Sequence, residues 1–232
     1  MTVDLSARDV DVAELMDDPD CDPVLLAATL RRFDTINRMW SGWARLYEAR
    51  LAPFLASLER PARVLDLGSG GGDLVARLAR LAARDGLDVR WVGADPDERA
   101  LHVARERASS RIEFRAMDAS ALRWAGERFD AVLSNHVLHH LSAADVAVFA
   151  ADSLALSDGI ALHSDIRRSR PAYALYAIGV TPFAPGTFLR TDGLRSIRRS
   201  YRAGELAETL GRPWTVRDAA PFRVVAEARA DA

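Results

Sequence analysis

The sequence contains no lysine. All 31 basic residues are arginine, set against 33 acidic residues for a formal net charge of −2. The absence of lysine excludes Schiff-base chemistry on a lysine amine and the lysine of a nucleotide-binding P-loop. Because acidic and basic residues nearly balance, the molecule as a whole has no positive electrostatic field. No nucleic acid is therefore expected as a partner, because such binding depends on neutralising many phosphates.

Cysteine is almost absent too. The single Cys21 excludes an internal disulfide and any zinc site built on several thiolates, so no metal is expected. The one long uncharged stretch, residues 171–189, contains Gly179 and Pro182, which would break a membrane-spanning helix. The N-terminus lacks the basic region and apolar core of a signal peptide. These features predict a cytoplasmic protein without a membrane partner, and they define no oligomeric state.

The length of 232 residues fits one domain with a small cap. The first two dozen residues are acid-rich and are expected to be mobile or loosely helical. Apolar residues then recur at three- and four-residue spacing from 24 to 58, which predicts two or three helices broken near Ser41 and at Pro53. Residues 1–58 are therefore interpreted as an acidic N-terminus and helical lid.

After Pro61 the pattern changes to short apolar runs that alternate with helical patterns. Strands are predicted at 62–67, 89–94, 112–116, 129–134 and 159–164, with helices at 73–84, 97–108, 143–156 and 203–211. This alternation is typical of an α/β domain with a parallel sheet, here over residues 59–232 with 166–202 as a cap insertion. Two further strands, 214–218 and 222–228, are too close for a helical crossover, so they must form an antiparallel hairpin.

A glycine-rich turn follows the first predicted strand and begins the first predicted helix of this domain. It reads Asp66-Leu67-Gly68-Ser69-Gly70-Gly71-Gly72-Asp73. Glycines allow a sharp turn and close approach of a ligand, and the helix N-terminus offers free amide groups. A dinucleotide fingerprint would place its third glycine at position 73, where this chain has aspartate.

Polar residues follow the next three strands as well. Asp95-Pro96 ends the second strand, where a carboxylate can accept hydrogen bonds from two ribose hydroxyls. Met117-Asp118-Ala119 follows the third strand, and there a carboxylate could accept from an adenine amino group. The fourth strand runs into Asn135 and His136.

Together these segments resemble the class I S-adenosylmethionine-dependent methyltransferases, in particular the broad ubiquinone/menaquinone-biosynthesis-like set of small-molecule enzymes. The resemblance covers residues 63–156 and implies a Rossmann-like, mostly parallel seven-stranded sheet that ends in an antiparallel hairpin. It implies S-adenosyl-L-methionine as the cofactor. The residues it assigns to cofactor binding are Asp66, Gly68, Ser69, Gly70, Gly72, Asp95, Pro96, Met117, Asp118, Ala119, Asn135 and His136.

Three residues are candidates for catalysis. His139 and His140 follow the fourth strand, and a histidine is the natural base for a hydroxyl proton near neutral pH. Asp165 ends the fifth strand and is expected to face the crevice. His139 is preferred to His140, because in a helical turn beginning near His136 it would share that residue's face. The alternative is that His139 and His140 only shape the loop after the fourth strand.

The predicted cap segments suggest the acceptor. Aromatic residues such as Tyr173, Tyr176 and Phe183 follow the fifth strand and favour an apolar or aromatic small molecule. The arginines of 167–170 and 190–202 are interpreted as a solvated face, or alternatively as an anion grip on the substrate.

The predicted reaction is methyl transfer to the hydroxyl of a phenolic or polyketide-like metabolite. Alternatives are C-methylation of an activated aromatic ring, a nicotinamide-dependent oxidoreductase, and a non-catalytic cofactor-binding regulator.

Overall fold

One seven-stranded sheet organises the chain in the computed structural model, which describes residues 3–230. The strand order is β3-β2-β1-β4-β5-β7-β6. The strands are β1 (Ala62–Leu67), β2 (Val89–Ala94), β3 (Ile112–Arg115), β4 (Phe129–Asn135), β5 (Ser157–Ile166), β6 (Thr215–Ala219) and β7 (Arg223–Arg229). Strands β1 to β5 are parallel, while β7 runs antiparallel to both β5 and β6. The α/β class, the parallel core and the terminal hairpin predicted from sequence are confirmed.

Ten helices accompany the sheet in the described part of the chain. They are α1 (Pro23–Trp40), α2 (Trp43–Leu46), α3 (Ala52–Ala56), α4 (Asp73–Arg84), α5 (Glu98–Ala104), α6 (Ala119–Trp124), α7 (Ala143–Leu156), α8 (Arg170–Gly179), α9 (Leu189–Arg199) and α10 (Ala203–Leu210). A π-helical segment, Tyr47–Leu51, joins α2 to α3. Short 3₁₀ turns occur at Leu15–Asp17, Arg105–Arg107, Leu138–His140 and Thr181–Phe183.

The central strands are buried on both faces, as their continuous apolar runs require. On one face, residues such as Val64, Trp91 and Leu133 pack against Trp43 and Leu78. On the other face, a second cluster forms around Leu65, Phe129 and Leu156. Asp66 lies opposite Leu133 in the β1–β4 pairing, so the glycine turn and the loop after β4 emerge side by side. This is where open parallel sheets bind ligands.

The N-terminal half agrees with one expectation and differs from two. The break predicted at Ser41 is real, since α1 ends at Trp40 and Gly42 adopts a left-handed conformation with φ 71°. Pro53, however, does not end a helix but occupies an early position of α3, where its missing amide costs little. The acid-rich residues before α1 pack onto the domain, and Glu14 is only 4% exposed.

No helix in residues 3–230 is both long and apolar enough to cross a membrane. The uncharged stretch that raised this question forms α8, a 3₁₀ turn and the start of α9.

Candidate active site

A cavity of about 480 Å³ opens at the carboxyl ends of β1, β2 and β4. Its volume falls within the range of small-molecule sites. The glycine turn and Asp95 line one side, and the histidines after β4 line another. Both cap segments predicted from sequence contribute, through Leu30 and Ile36 of α1 and through Leu189 of α9. The N-terminal segment, defined here as residues 3–22, contributes Glu14 and Asp17.

The glycine turn depends on backbone conformations that only glycine adopts freely. Gly68, Gly70 and Gly72 have φ values of 67°, 50° and 74°. A side chain on Gly68 would also bring its Cβ to 2.5 Å from Cγ2 of Val137, in the loop after β4. The turn can therefore lie directly against that loop, and its backbone is exposed to the cavity.

Three carboxylates surround this turn without a cationic partner among the residues described. Asp66, Asp73 and Asp95 are all buried. Burial raises the pKa of each, and in Asp66 the neighbouring charges of Asp73 and Asp95 raise it further. Oδ1 of Asp66 and Oγ of Ser69 are buried and have no hydrogen-bond partner within residues 3–230. Such a cluster suits a cationic ligand, and it would repel the pyrophosphate of a dinucleotide.

Asp95 ends β2 and shapes the turn at the same time. Its Oδ2 accepts a hydrogen bond from the Gly70 amide at 2.8 Å, and its Oδ1 accepts from the Asp97 amide at 2.9 Å. Each carboxylate oxygen can accept a second hydrogen bond. Asp95 and Pro96 both line the cavity, so the position is suited to bind a pair of ligand hydroxyls.

The segment after β3, residues 117–119, lies outside the cavity lining. Asp118 is exposed and caps α6, because its Oδ1 accepts from the Ala121 amide at 2.7 Å. Met117, Asp118 and Ala119 are not among the residues that line the cavity. A contact between Asp118 and a bound ligand remains a prediction.

His139 is held between two carboxylates. Its Nδ1 is 2.8 Å from Oδ1 of Asp165, and its Nε2 is 3.2 Å from Oε1 of Glu14. The backbone amide of His139 also donates to Oδ2 of Asp165. Burial alone would lower the pKa of this imidazole, but the two carboxylates outweigh it and raise the pKa to about 10. A histidine that is already protonated at neutral pH cannot accept a proton, which argues against the base role preferred for His139.

His140 is placed differently. Its Nδ1 is 3.2 Å from Oδ2 of Asp17, and its Nε2 is 4.0 Å from Oε2 of Glu14. The side chain is 30% exposed, and its ring lies 4.2 Å from that of His139, centroid to centroid. The helical turn begins at Leu138 rather than near His136, but the rings of His136 and His139 still lie next to each other, 6.2 Å apart between centroids.

His136 adopts a left-handed conformation with φ 63°, a strained backbone for a residue other than glycine. Its Nε2 accepts a hydrogen bond from Arg223 at 3.0 Å. Burial and the adjacent guanidinium hold the pKa of His136 well below its usual range, so its ring is neutral. Arg223 also donates to Oδ1 of Asn135 at 2.7 Å, and it thereby fixes both residues that were assigned to cofactor binding.

Two groups of donor atoms lie within 4.8 Å of one another: those of Glu14, His139 and His140, and those of His136, His139 and Asp165. Both groups share His139, and its two ion pairs account for their proximity. The expectation that no metal binds stays a prediction.

Arg168 and Arg199 of the second cap segment bind main-chain carbonyls, whereas Arg170 and Arg190 are exposed, as a solvated face would be. An anion grip on the substrate stays a prediction. Arg199 donates to the backbone carbonyls of Val12, His139 and His140. Arg168, whose side chain is fully buried, donates to the carbonyl of Leu5. These side chains attach the N-terminal segment to the domain.

Sequence reasoning missed Glu14, Asp17 and Arg223 at this site. Glu14 and Asp17 stand in a run of acids with no distinguishing spacing. Arg223 follows the hairpin turn, and only the pairing of β7 with β5 places it near β4.

The comparisons with known proteins agree with this architecture. Residues 64–157 match a family model described as a methyltransferase domain. Ubiquinone biosynthesis O-methyltransferase from Brucella ovis is 37% identical over 120 residues, covering 50% of this chain and 46% of the relative. The corresponding protein from Ruegeria sp. (strain TM1040) is 38% identical over the same coverage. The chain thus spans about half the length of the curated relatives it matches.

Solved structures support the fold. Magnesium protoporphyrin IX methyltransferase from Synechocystis PCC 6803 with bound SAH has a TM-score of 0.54 and 20% identity, covering 81% of this chain and 83% of that one. The plantazolicin methyltransferase in complex with a monoazolic analogue and SAH has a TM-score of 0.61 and 13% identity, with coverages of 93% and 95%. At these identities the likeness shows a shared fold.

Proposed function

We propose that this chain, which contains a class I S-adenosylmethionine-dependent methyltransferase domain, transfers the methyl group of S-adenosylmethionine to the hydroxyl of a small, uncharged molecule. The observation that carries the proposal is the carboxylate cluster around the glycine turn. When bound, the cofactor supplies an electrophilic methyl group on a positively charged sulfur, and a buried anionic cluster favours such a cation. The unpartnered Oδ1 of Asp66 and Oγ of Ser69 offer hydrogen-bond acceptors at this place.

The roles follow from position. The backbone of the glycine turn and Asp66 would hold the amino-acid end of the cofactor, and Asp95 would accept hydrogen bonds from its ribose. Asn135 and His136, fixed by Arg223, would pass beneath it. The carboxylates also weigh against the nicotinamide-dependent alternative, because a pyrophosphate would meet Asp73 at the N-terminus of α4.

The remainder of the cavity supports an apolar acceptor. Leu30, Phe33 and Ile36 of α1 line it together with Tyr176 and Leu189. All of these except Leu30 belong to one apolar cluster. Glu14 and Asp17 also line the cavity, but the protonated His139 and Arg199 offset their charge, so this wall offers no free charge to pair with an ionic acceptor. A neutral phenolic or polyketide-like hydroxyl compound fits this lining. The O-methyltransferase names of the curated relatives favour transfer to oxygen over transfer to carbon.

The test begins with the cofactor. Asp95→Ala should weaken binding of S-adenosylhomocysteine about 10- to 100-fold by calorimetry, since two hydrogen bonds to a charged group are lost. Asp88→Ala, an exposed position at the opposite end of β2, is the matched control and should leave the affinity unchanged. An unaltered dissociation constant for Asp95→Ala would remove the cofactor assignment.

Transfer is tested with a panel of neutral phenols, by mass spectrometry of the products. A gain of one methyl group on oxygen is expected. Methylation of ring carbon would support the alternative acceptor chemistry. Binding of cofactor without transfer to any member of the panel would favour the non-catalytic regulator.

A further inference from the structure

The N-terminal segment places two carboxylates against the adjacent histidines after β4. Glu14 reaches Nε2 of His139, and Asp17 reaches Nδ1 of His140. Glu14 is 4% exposed, and its Oε1 also accepts a hydrogen bond from Oγ of Ser196 at 2.7 Å. These contacts join the first residues of the chain to the centre of the cavity.

The segment is held in this position by several independent contacts. The buried carboxylate of Asp192 accepts hydrogen bonds from the amides of Leu15 and Met16, at 2.8 and 3.0 Å. Arg195 donates to the carbonyl of Ala13, and Arg199 donates to that of Val12. Beyond Asp17, Arg99 donates to the carbonyl of Asp18. The contacts therefore bracket Glu14 and Asp17, so their side chains are positioned from both sides.

We infer that the N-terminal segment is part of the catalytic site and that its two carboxylates give the adjacent histidines different tasks: Glu14 pairs with His139 as a fixed cation, and Asp17 orients His140 to take the acceptor's proton. The inference rests on the proposed function. It makes Glu14 and Asp17 positioning residues and transfers the role of base from His139 to His140.

The geometry of His140 supports this assignment. A carboxylate on Nδ1 holds the proton on that nitrogen and leaves the lone pair of Nε2 available, as in the aspartate–histidine pair of hydrolases. Nε2 of His140 has no hydrogen-bond partner in the part of the chain described here; its nearest carboxylate oxygen, on Glu14, is 4.0 Å away. An acceptor hydroxyl can therefore approach it.

The charge of His139 complements this role. Its two carboxylates hold it protonated and leave it no capacity to accept a proton. As the acceptor oxygen forms its bond to the methyl carbon, its O–H bond breaks and the proton passes to Nε2 of His140. The electron pair of the breaking carbon–sulfur bond remains on sulfur. Besides Asp17, the charged groups near His140 in the described part of the chain are Glu14, His139, Asp95 and Arg199.

The experiment compares two acceptors that differ in acidity. One is a simple phenol that is protonated at the assay pH, and the other is an activated phenol that is already ionised. A general base contributes about 10²–10⁴-fold, and this advantage disappears when there is no proton to remove. Asp17→Asn should therefore lower kcat about 10- to 100-fold with the protonated phenol and less than about threefold with the ionised one. Asp11→Asn, in the same segment and without a partner among the side-chain contacts described, is the control.

Loss of rate with both acceptors alike would indicate a merely structural role for Asp17 and overturn the inference, as would no loss with either. Failure of the unaltered protein to methylate any acceptor would instead contradict the proposed function.

A second measurement needs neither cofactor nor acceptor. ¹⁵N NMR of histidine-labelled protein reports which ring nitrogen carries the proton. The neutral ring of His140 should be protonated on Nδ1 in the unaltered protein and should shift toward the Nε2 tautomer in Asp17→Asn. An unchanged tautomer would overturn the role of Asp17 whatever the enzyme transfers.

Discussion

The charge on His139 predicts a specific dependence of stability on pH. The two carboxylates raise its pKa from 6.5 to about 10 in the folded protein, whereas the unfolded chain keeps the ordinary value. A folded-state pKa that is raised means that the folded state holds the proton more tightly. The resulting stabilisation is fully present below pH 6.5 and is lost as the pH rises through about 10. At 1.36 kcal/mol for each pKa unit, it amounts to about 3–5 kcal/mol.

His139→Gln removes this titration. At pH 6.5 the variant should be less stable by about 3–5 kcal/mol, because Asp165 and Glu14 then remain buried without a cation. The deficit should shrink toward pH 10, where His139 of the unaltered protein loses its own proton. Urea unfolding followed by circular dichroism at intervals from pH 6 to 10 measures the difference, in which the titrating groups distant from His139 cancel.

His102→Gln, at an exposed histidine of α5, is the control and should show no pH-dependent difference. Glu14→Gln gives a milder perturbation if His139→Gln does not fold, since it removes only one of the two carboxylates. The Hε1 resonance of His139 gives the pKa directly. An inflection near 6.5, or a deficit independent of pH, would refute the ion-pair assignment and restore His139 as a candidate base.

Two further variants test the turn and the attachment of the N-terminal segment. Gly68→Ala should destabilise the protein by about 1–3 kcal/mol more than Gly126→Ala, because both positions have positive φ but only Gly68 would bring its Cβ to 2.5 Å from Val137. Equal unfolding free energies would show that the contact has no cost. Arg168→Met should lower the free energy of unfolding by about 1–3 kcal/mol and expose the N-terminal segment to proteolysis, since it removes the buried donor that Glu205 shares with the carbonyls of Leu5 and Ser200. Arg170→Met, at an exposed position nearby, should do neither.

The parts of the site that could be predicted from sequence are those set by local rules. Three glycines with positive φ occupy the turn after β1, and the alternation of strands and helices predicts which strand ends meet. Asp95 lies in the cavity because it ends a parallel strand next to β1. In each case the neighbouring residues alone determine the geometry.

The roles of the histidines depend on partners that are distant in sequence. From the spacing of His139 and His140 alone, either could be a base. Only the folded chain shows that a buried carboxylate meets each side of His139, whereas within residues 3–230 His140 hydrogen-bonds to Asp17 through Nδ1 and makes no hydrogen bond through Nε2. The protonation state of a histidine is an electrostatic sum over its surroundings, and no local pattern contains that sum.

The contacts of the arginines in the second cap segment could not be predicted from the sequence either. In the sequence these arginines form a charge run, which most often lies on a solvated face. In the structure, Arg168 is buried, the Arg199 side chain is 12% exposed, and both bind main-chain carbonyls. Every residue offers such a carbonyl, so no sequence pattern marks these contacts. A guanidinium suits this task because its five donors can reach several carbonyls at once. These contacts hold the acidic segment before α1 in place, and the segment lines part of the cavity. A charge pattern that predicts a loose tail can thus belong to a segment that is fixed, when its backbone rather than its side chains is what the domain binds.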